Sequence, residues 1–417
     1  MNRVCAHVDD KPRRFDIPAR DSIMSAVRMR FLVLAGLILI ALPGCHKKDP
    51  VVERWARTFG GTASDVGNAV VQTADGGYFV VGTTYSFGAD SGEVYLVKTN
   101  ARGDTLWTEM FGGDGYYEGL SGEQTADGGC VITGYVWREG YQYVLLIKTD
   151  ASGEMLWMRT FEFAGYECGF SVQQTADGGY IVVGYSVQDS FAVYLVRTNP
   201  EGHEIWSNVY GGADFEEGVA VRQTTDHGYI VAGDTRSFGA GGIDVYLFKT
   251  NPRGDTQWSR TYGGTDEDRS NSVRQTADGG YVVVGNTRSF GAGGADVFLI
   301  KTNPQGDTQW SRTYGGASDD VGSSVRQTAD GGYIIAGTTS SFGAGGSDVY
   351  VVRADSSGNP EWTRTFGGDC DDCGYGIALA DDRGYIICGS TSSYGAGDED
   401  VWLIKTDSLG NAEPDTL

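Results

Sequence analysis

The pattern of apolar and polar positions changes several times within each stretch of about 50 residues. Within residues 270–314, SNSVRQT alternates between the two classes, whereas YVVVGNT and VFLIKT are apolar at consecutive positions, and TQWSRTY follows the turn NPQGD. Alternation is typical of a half-buried strand, and consecutive apolar residues indicate a strand that is buried on both faces. Each stretch therefore predicts four strands, which we name A to D.

The turn signals predict how these strands are connected. The segment QTADGGYFVVG at 72–82 recurs as QTADGGYIVVG at 174–184 and as QTADGGYIIAG at 327–337. Asp-Gly between two strand patterns is the strongest short-range signal for a hairpin, so ADGG is predicted to join strands A and B. The basic residue late in strand C also recurs, and we expect it to form an exposed ion pair with a turn aspartate, such as Asp278 for Lys301.

A tryptophan marks every copy of the repeat. The seven positions are Trp55, Trp107, Trp157, Trp206, Trp258, Trp310 and Trp362. Four-stranded sheets that are buried on both faces and repeated at a fixed period are blades of a β-propeller. The sequence therefore predicts an all-β, seven-bladed β-propeller of antiparallel blades over residues 53–417.

The frame of the repeat predicts how the ring closes. The first copy opens with a D strand around Trp55, and the last copy ends after its C strand, VWLIKTD. Pro414 stands where the other copies have tryptophan, and proline cannot donate to a strand ladder. We therefore expect residues 55–59 to pair with residues 401–406 and to leave no free sheet edge.

The C–D turn carries a resemblance to a known repeat. NPRGDTQW at 251–258 resembles the tryptophan-docking repeat of pyrroloquinoline-quinone-type propellers, in which a turn glycine and the following tryptophan pack one blade onto the next. Those quinoproteins usually have eight blades and adjacent cysteines at the cofactor, and this chain has seven copies and no adjacent cysteines. The resemblance thus supports the fold, and we expect no cofactor. The TADGGY repeats also look like those of uncharacterised bacterial surface and secreted proteins.

The N-terminal segment indicates export. Two arginines precede an apolar run over residues 31–42, which is shorter than the ~20 residues of a membrane span and fits a secretory signal. The run ends in LPGC at 42–45, which resembles the lipobox of bacterial lipoproteins, although Pro43 departs from the usual small or β-branched residue. The resemblance implies that Cys45 is lipidated.

These features divide the chain into four parts. We expect residues 1–23 to lie upstream of the true start, 24–44 to be the signal peptide, 45–52 to be a tether and 53–417 to be the propeller. The protein would then be lipid-anchored to a bacterial membrane, at the outer membrane or cell surface, or secreted. The C-x-x-C pair Cys370 and Cys373 is expected to form a small disulfide outside the cytoplasm.

The net charge restricts the partners. At −23, the chain would repel the phosphate backbone of a nucleic acid, so we expect no nucleic-acid partner. Membrane contact is expected through the N-terminal lipid alone, and the protein is expected to be a monomer.

The chemistry of the repeats favours binding over catalysis. The two histidines within the repeats, His203 and His227, fall in different copies, and neither a Ser–His–Asp pattern nor a His/Cys metal cluster is readable. We expect a non-enzymatic binding module or scaffold for an envelope or surface protein or a glycan. The alternatives are a lectin-like carbohydrate-binding protein and a polysaccharide lyase or hydrolase that uses loop carboxylates.

An acidic residue recurs just before strand A in six copies. The series is Asp65, Glu167, Glu216, Asp268, Asp320 and Asp372, and blade 2 breaks it with Tyr117. If strand A is innermost, these carboxylates would surround the axis and offer the oxygen ligands that Ca²⁺ prefers. The alternative is that each carboxylate accepts hydrogen bonds from backbone amides of its glycine-rich loop.

Copies 2 and 3 lack the SFGAGG loop between strands B and C, and their D–A loops have also changed. Both loop types should open on one face of the propeller, which we call the loop face. The replacements bring six aromatic residues: Tyr116, Tyr117, Trp137, Tyr141, Phe163 and Tyr166. Because Trp and Tyr are frequent hot-spot residues, we expect a ligand-binding patch here. The alternative is that these rings fill the volume of the missing loops.

Overall fold

The computed structural model describes residues 54–413, except 89–90, 164 and 189. Within these residues the chain forms seven four-stranded antiparallel sheets, which confirms the predicted β-propeller. The predicted signal, the tether and Cys45 lie outside the described residues. No helix in the described part of the chain is long and apolar enough to cross a membrane.

Each blade runs A, B, C, D from the axis outwards. Blade 1 comprises β2 (Asp65–Gln72), β3 (Tyr78–Thr84), β4 (Glu93–Thr99) and β5 (Thr105–Phe111). Blade 2 comprises β6 (Tyr116–Gln124), β7 (Cys130–Arg138), β8 (Tyr141–Thr149) and β9 (Met155–Phe161). Blade 3 comprises β10 (Glu167–Gln174), β11 (Tyr180–Val187), β12 (Phe191–Thr198) and β13 (Glu204–Tyr210). Blade 4 comprises β14 (Glu216–Gln223), β15 (Tyr229–Thr235), β16 (Asp244–Thr250) and β17 (Thr256–Tyr262).

The remaining blades follow the same order. Blade 5 comprises β18 (Asp268–Gln275), β19 (Tyr281–Thr287), β20 (Asp296–Thr302) and β21 (Thr308–Tyr314). Blade 6 comprises β22 (Asp320–Gln327), β23 (Tyr333–Thr339), β24 (Asp348–Ala354) and β25 (Pro360–Phe366). Blade 7 comprises β26 (Asp372–Leu379), β27 (Tyr385–Thr391), β28 (Asp400–Thr406) and β1 (Trp55–Phe59).

The first strand closes the ring, as predicted. β1 is the outermost strand of blade 7 and pairs antiparallel with β28, with Trp55 opposite Lys405 and Phe59 opposite Val401. β2 of blade 1 also contacts β26 and β27 of blade 7, so the innermost strands meet across the same junction.

The middle strands form the core. Most residues of strands B and C are buried, whereas the D strands are partly exposed. Buried side chains of adjacent blades pack together in shared apolar clusters, such as the cluster that joins Val284 and Leu299 of blade 5 to Ile335 and Val352 of blade 6. The consecutive apolar positions of strands B and C are explained by this burial, because each sheet packs against a neighbour on both faces.

Each repeat tryptophan lies on a turn glycine of the next blade. A Cβ added to Gly103 would lie 2.6 Å from the ring of Trp55, and one added to Gly306 would lie 2.7 Å from Trp258. These C–D turn glycines also have positive φ, +78° at Gly103 and +81° at Gly306. Glycine is therefore required twice, by the turn conformation and by the contact with the indole. The same contact recurs at four other junctions, whereas at Gly254 the nearest atom is Asn208 Nδ2 at 2.4 Å and the Trp206 ring follows at 3.1 Å. A tryptophan therefore lies beside the turn glycine at all seven junctions.

The recurring basic residue of strand C is buried, not exposed as expected. Lys301 Nζ lies 2.9 Å from Asp278 Oδ2 in the A–B turn, as predicted, and it also donates to the carbonyl of Thr302 at 2.8 Å. Only 5% of the Lys301 side chain is exposed, compared with 54% of Asp278. A buried ammonium group without a partner is costly, so removal of the aspartate should destabilise the fold more than removal of one partner of a surface pair would.

We expect deletion of residues 51–60 to open the ring, because it removes β1 and exposes the edge of β28 and the apolar side chains of blade 7. The truncated chain should no longer unfold in one cooperative transition, as measured by calorimetry and by circular dichroism. A truncated protein that melts as sharply and at the same temperature as the parent would refute the role of β1.

The docking contact can be separated from the turn conformation by two matched substitutions. Gly279 and Gly306 share a φ of +81°, but a Cβ at Gly279 would meet only Pro304 Cγ at 3.7 Å. Gly279→Ala should therefore cost about 1–2 kcal/mol for the left-handed backbone alone. Gly306→Ala should cost about 1–3 kcal/mol more, because the methyl group overlaps Trp258. Equal losses in denaturant unfolding would show that the Trp–Gly contact contributes nothing.

Candidate functional site

A long hairpin replaces the missing B–C loop of blade 2. β7 and β8 each have nine residues, compared with seven in the corresponding strands of blade 5, and a two-residue turn of Glu139 and Gly140 joins them. Both turn residues have positive φ, +54° and +85°. This conformation is that of the tight turn that matches the twist of a two-stranded ribbon. The hairpin therefore extends Trp137 and Tyr141 at its tip on the loop face.

Three aromatic rings meet beside this hairpin. The ring of Tyr166 lies 5.8 Å from that of Trp137 and 6.4 Å from that of Tyr141. The exposed fractions are 42% for Trp137, 50% for Tyr141 and 43% for Tyr166. We call these three residues the aromatic cluster. The ring of Tyr166 packs against both of the other rings, and each of the three keeps a large accessible surface.

The D–A loop of blade 3 fixes Tyr166 against the hairpin. The amide of Gln142 donates to the carbonyl of Gly165 at 3.1 Å, and Gln142 and Tyr166 form a parallel bridge. A Cβ at Gly165 would lie 3.0 Å from the Tyr141 ring, so a small residue is needed for this approach. The cluster is thus held by backbone hydrogen bonds between two blades.

The other predicted patch residues do not join this cluster. Phe163 is 51% exposed but packs on Tyr194 of strand C, with ring centroids 5.8 Å apart. Phe290 of blade 5 packs on Phe298 at the same separation, so Phe163 takes the place of the phenylalanine of the missing loop. The alternative of volume filling therefore fits Phe163.

Tyr116 and Tyr117 pack against other neighbours. Tyr117 is buried, so it does not belong to the exposed surface that the sequence predicted. Tyr116 is half-buried, and its hydroxyl lies 2.5 Å from that of Tyr85 and 3.0 Å from Glu118 Oε2. Burial raises the pKa of Tyr116, with a further contribution from Glu118, so its hydroxyl stays a donor. Both residues support the hairpin and its neighbours.

The acidic series is buried within the loops and does not open to the axis. All six side chains have no exposed surface, and each accepts a hydrogen bond from a glycine amide of its own D–A loop. Asp268, for example, accepts from the amide of Gly264 at 2.7 Å and from the hydroxyl of Ser289 at 2.6 Å. Within the described residues, no three or more His, Cys, Asp or Glu side chains are grouped to hold a metal. This geometry favours the loop-amide alternative over a calcium site.

Four members of the series have a second carboxylate beside them. The pairs are Asp244 with Asp268, Asp296 with Asp320, Asp348 with Asp372, and Asp400 with Asp65, each across a blade junction. Both members of a pair approach one glycine, such as Gly367, where a Cβ would lie 2.8 Å from Asp372 Oδ2 and closer still to Asp348. Buried oxygens without a hydrogen-bond donor in the described structure include Asp348 Oδ2 and Asp372 Oδ1.

This burial raises the pKa of one carboxyl group in three of the pairs. Burial, together with the charges of Asp372 and Asp371, raises the pKa of Asp348 to about 6. Burial also raises the pKa of Asp244, with repulsion from Asp268, and that of Asp296, with repulsion from Asp320. Two buried like charges repel each other, so the protonated form of one partner is favoured.

The cysteines contradict the predicted disulfide. No bond joins Cys370 to Cys373 in the described structure. Cys370 is exposed in the loop, whereas Cys373 is buried in β26 beside the Tyr375 side chain, with which it interacts. The strand therefore holds the second thiol in the blade, apart from the loop that carries the first.

Sequence reasoning missed two residues next to the cluster. The guanidinium carbon of Arg138 lies 5.2 Å from the ring centre of Tyr143, and Tyr141 lies 6.4 Å from Tyr143. Arg138 directly follows Trp137 in the segment of copy 2 that departs from the repeat, and this departure was the sequence signal that could have identified it. These two residues extend the cluster with a positive charge.

The paired carboxylates predict a pH dependence of stability. Between about pH 4 and pH 6, folded Asp348 holds a proton that the unfolded chain has released, so stability falls as pH rises through this window. We expect the melting temperature at about pH 5 to exceed that at about pH 7.5. Asp348→Asn should raise the melting temperature at the higher pH by about 2–4 °C and reduce the difference. The control Asp369→Asn removes an exposed charge from the D–A loop that precedes Asp372, the partner of Asp348, and an identical response of both variants would contradict the assignment.

The comparisons with known proteins concern the fold alone. The WD40 domain of Pan2 from Neurospora crassa is similar with a TM-score of 0.51 at 10% identity, over 87% of this chain and 98% of that domain. Sqt1 from Chaetomium thermophilum has a TM-score of 0.48 at 13% identity, over 81% and 83% of the two chains. A protein of unknown function from Bacteroides caccae has a TM-score of 0.42 at 15% identity, over 67% and 90%. No protein-family model matches the chain, and no curated protein matches it.

Proposed function

We propose that this protein is a non-catalytic binding module or scaffold that captures an envelope or surface protein on its loop face. The observation that carries the proposal is the aromatic cluster, in which three exposed rings are held together where the repeat is broken. A repeat that only needed to fold would keep the loop that five other blades use. The two altered blades instead expose Trp and Tyr side chains side by side.

The cluster is suited to binding because it is organised in advance. Trp137 and Tyr141 stand on a ladder of paired residues in the β7–β8 hairpin, and Tyr166 is fixed by the bridge to Gln142. Rigid aromatic side chains lose little conformational entropy on association. They also combine a large apolar face with a polar group, which is why Trp and Tyr dominate binding hot spots.

The N-terminal sequence supports a location outside the cytoplasm. A lipid on Cys45 with a tether over residues 45–52 would keep the propeller close to a bacterial membrane. A partner on the same surface would then be met at a high local concentration. The expected partner is therefore an envelope or surface protein and not a cytoplasmic one.

A glycan is the second candidate, and the exposed face of Trp137 is the observation that favours it. Aromatic faces pack against the apolar faces of sugars, and the hydroxyl groups of Tyr141 and Tyr166 add hydrogen-bonding capacity. A lyase or hydrolase would need reactive loop carboxylates. The acidic series gives this alternative no support, because its members are buried and hydrogen-bonded within their loops.

We expect the double substitution Trp137→Ala and Tyr141→Ala to abolish partner capture and to leave the melting temperature nearly unchanged, because both rings are exposed. Capture is measured by affinity pull-down from the native envelope and on a glycan array, each with the full chain as bait. Loss of a specific protein band supports the first candidate, and loss of an array signal supports the second.

The matched control is Phe290→Ala with Phe342→Ala. These phenylalanines are comparably exposed on the same face, at 48% and 45%, but belong to the regular loops of blades 5 and 6. The control should retain capture. If the Trp137/Tyr141 variant instead loses several kcal/mol of stability, or if both variants bind alike, the aromatic cluster is a packing feature and the proposal fails.

A further inference from the structure

The inner strands of the propeller line a central channel. In every blade the register of strand A against strand B shifts at one residue, such as between Gly218 and Ala220 in blade 4. The bulged residues all line the channel: Asn68, Leu120, Phe170, Val219, Asn271, Ser323 and Tyr375. A bulge changes the direction in which a side chain points from the strand. The seven bulged residues therefore form one ring of mixed polar and apolar side chains in the channel, which we call its first level.

A second level of the channel carries three arginines. Arg222, Arg274 and Arg326 occupy the same position of strand A in blades 4, 5 and 6, each opposite the second residue of strand B. All three line the same cavity, which has a volume of about 110 Å³. The corresponding residues of the other blades are Val71, Glu123, Gln173 and Ala378. The positive charges are therefore confined to three consecutive blades.

The hydrogen bonds of these arginines leave most of their donors available. Among the described residues, Arg222 donates from Nη1 to Ser171 Oγ and the Val221 carbonyl, and Arg274 donates from Nη1 to the Val273 carbonyl at 3.1 Å. Arg326 likewise uses Nη1, to Ser324 Oγ at 3.2 Å and the Val325 carbonyl at 2.9 Å. These acceptors are neutral, and a guanidinium group has five N–H donors.

The three charges are poorly compensated. Burial in the channel lowers the pKa of all three arginines. Repulsion from Arg222 adds to the effect at Arg274 and at Arg326, where the pKa falls to about 9. Glu123 opposes this trend, but its Oε2 accepts a hydrogen bond from the amide of Gln174 at 2.9 Å. A protein with a net charge of −23 thus concentrates positive charge at one place in its interior.

We propose that the channel binds a small oxyanion with two negative charges, a phosphate ion or a phosphoryl group, held by Arg222, Arg274 and Arg326. Planar guanidinium groups match the geometry of phosphate and carboxylate oxygens and form charge-assisted pairs with them. The cavity is several times larger than the roughly 10–15 Å³ that one water requires, so such a group fits. The site is separate from the aromatic cluster and stands independently of it.

The test is a calorimetric titration of the full chain at about pH 8, where phosphate carries two charges. Inorganic phosphate and glycerol 2-phosphate represent the free ion and the ester, and acetate is the singly charged control. We expect saturable binding of at least one phosphoryl compound and none of acetate. Binding of the free ion alone or of the ester alone identifies the source, and absence of both overturns the proposal.

Two variants locate the binding. Arg274→Gln should weaken binding at least tenfold, and it should raise the melting temperature in phosphate-free buffer because it relieves repulsion. Arg312→Gln is the matched control, since Arg312 lies on the outer strand β21 with its guanidinium 5.5 Å from the Trp310 ring. This variant should bind like the parent. If both variants bind phosphate equally weakly, the loss reflects the net charge of the protein and not a specific site, and the proposed site is wrong.

Arg326→Gln provides the same comparison if Arg274→Gln does not fold. It removes a charge from the same level of the channel, in the next blade. The titration of the unaltered protein tests the proposal without any variant. If neither phosphate nor glycerol 2-phosphate gives saturable heat, the three arginines do not form a phosphate site.

Discussion

The packing of a tryptophan onto a turn glycine of the next blade is the contact on which the ring depends. Strands B and C pack adjacent blades together through apolar side chains, which adapt to small changes in position. The indole defines the position of the next blade more narrowly, because it lies against a backbone that only glycine leaves open. Repeating this contact at every junction fixes the spacing of the blades. The positions of the loops and of the channel follow from that spacing.

This constraint leaves two regions of each blade free to change. The loop face varies where no indole packs, and the inner strands vary at positions that point to the axis. Blades 2 and 3 differ from the repeat on the loop face, where the long hairpin of blade 2 carries Trp137. Blades 4, 5 and 6 differ on the inner strand, where they have arginines at the position of Val71 in blade 1. The two departures from symmetry therefore lie in different sectors and at different depths.

Most of the fold was predictable, because periodicity and turn chemistry are local. The tryptophan spacing and the Asp-Gly turns predicted the blades, and Pro414 predicted that Trp55 closes the ring. The site was less accessible to sequence reasoning, since burial depends on partners distant along the chain. Tyr117 was expected at the surface and is buried, and Phe163 takes the place of a missing loop residue.

The grouping of the three channel arginines could not be predicted for the same reason. Arg222, Arg274 and Arg326 each appear as one polar residue in an alternating strand, and nothing local distinguishes them from a surface arginine. Their proximity exists only after the ring has brought three blades together. A comparison of this position across the seven copies would have shown the charges, but not the cavity that they share. The acidic series illustrates the reverse case, because a conspicuous repeated residue proved to be a loop support.

The pairing of β1 with β28 has a consequence for the order of folding. Hairpins within a blade form between near neighbours, whereas this contact joins residues roughly 350 apart, at Trp55 and Lys405. Loop-closure entropy grows only with the logarithm of length, so this contact costs about 2 kcal/mol more than closing a single repeat. The delay is the larger effect, since β28 is the last of the described strands to be made and keeps an open edge until β1 pairs with it. A newly made chain is therefore most exposed to edge-to-edge aggregation between the synthesis of β28 and its pairing with β1.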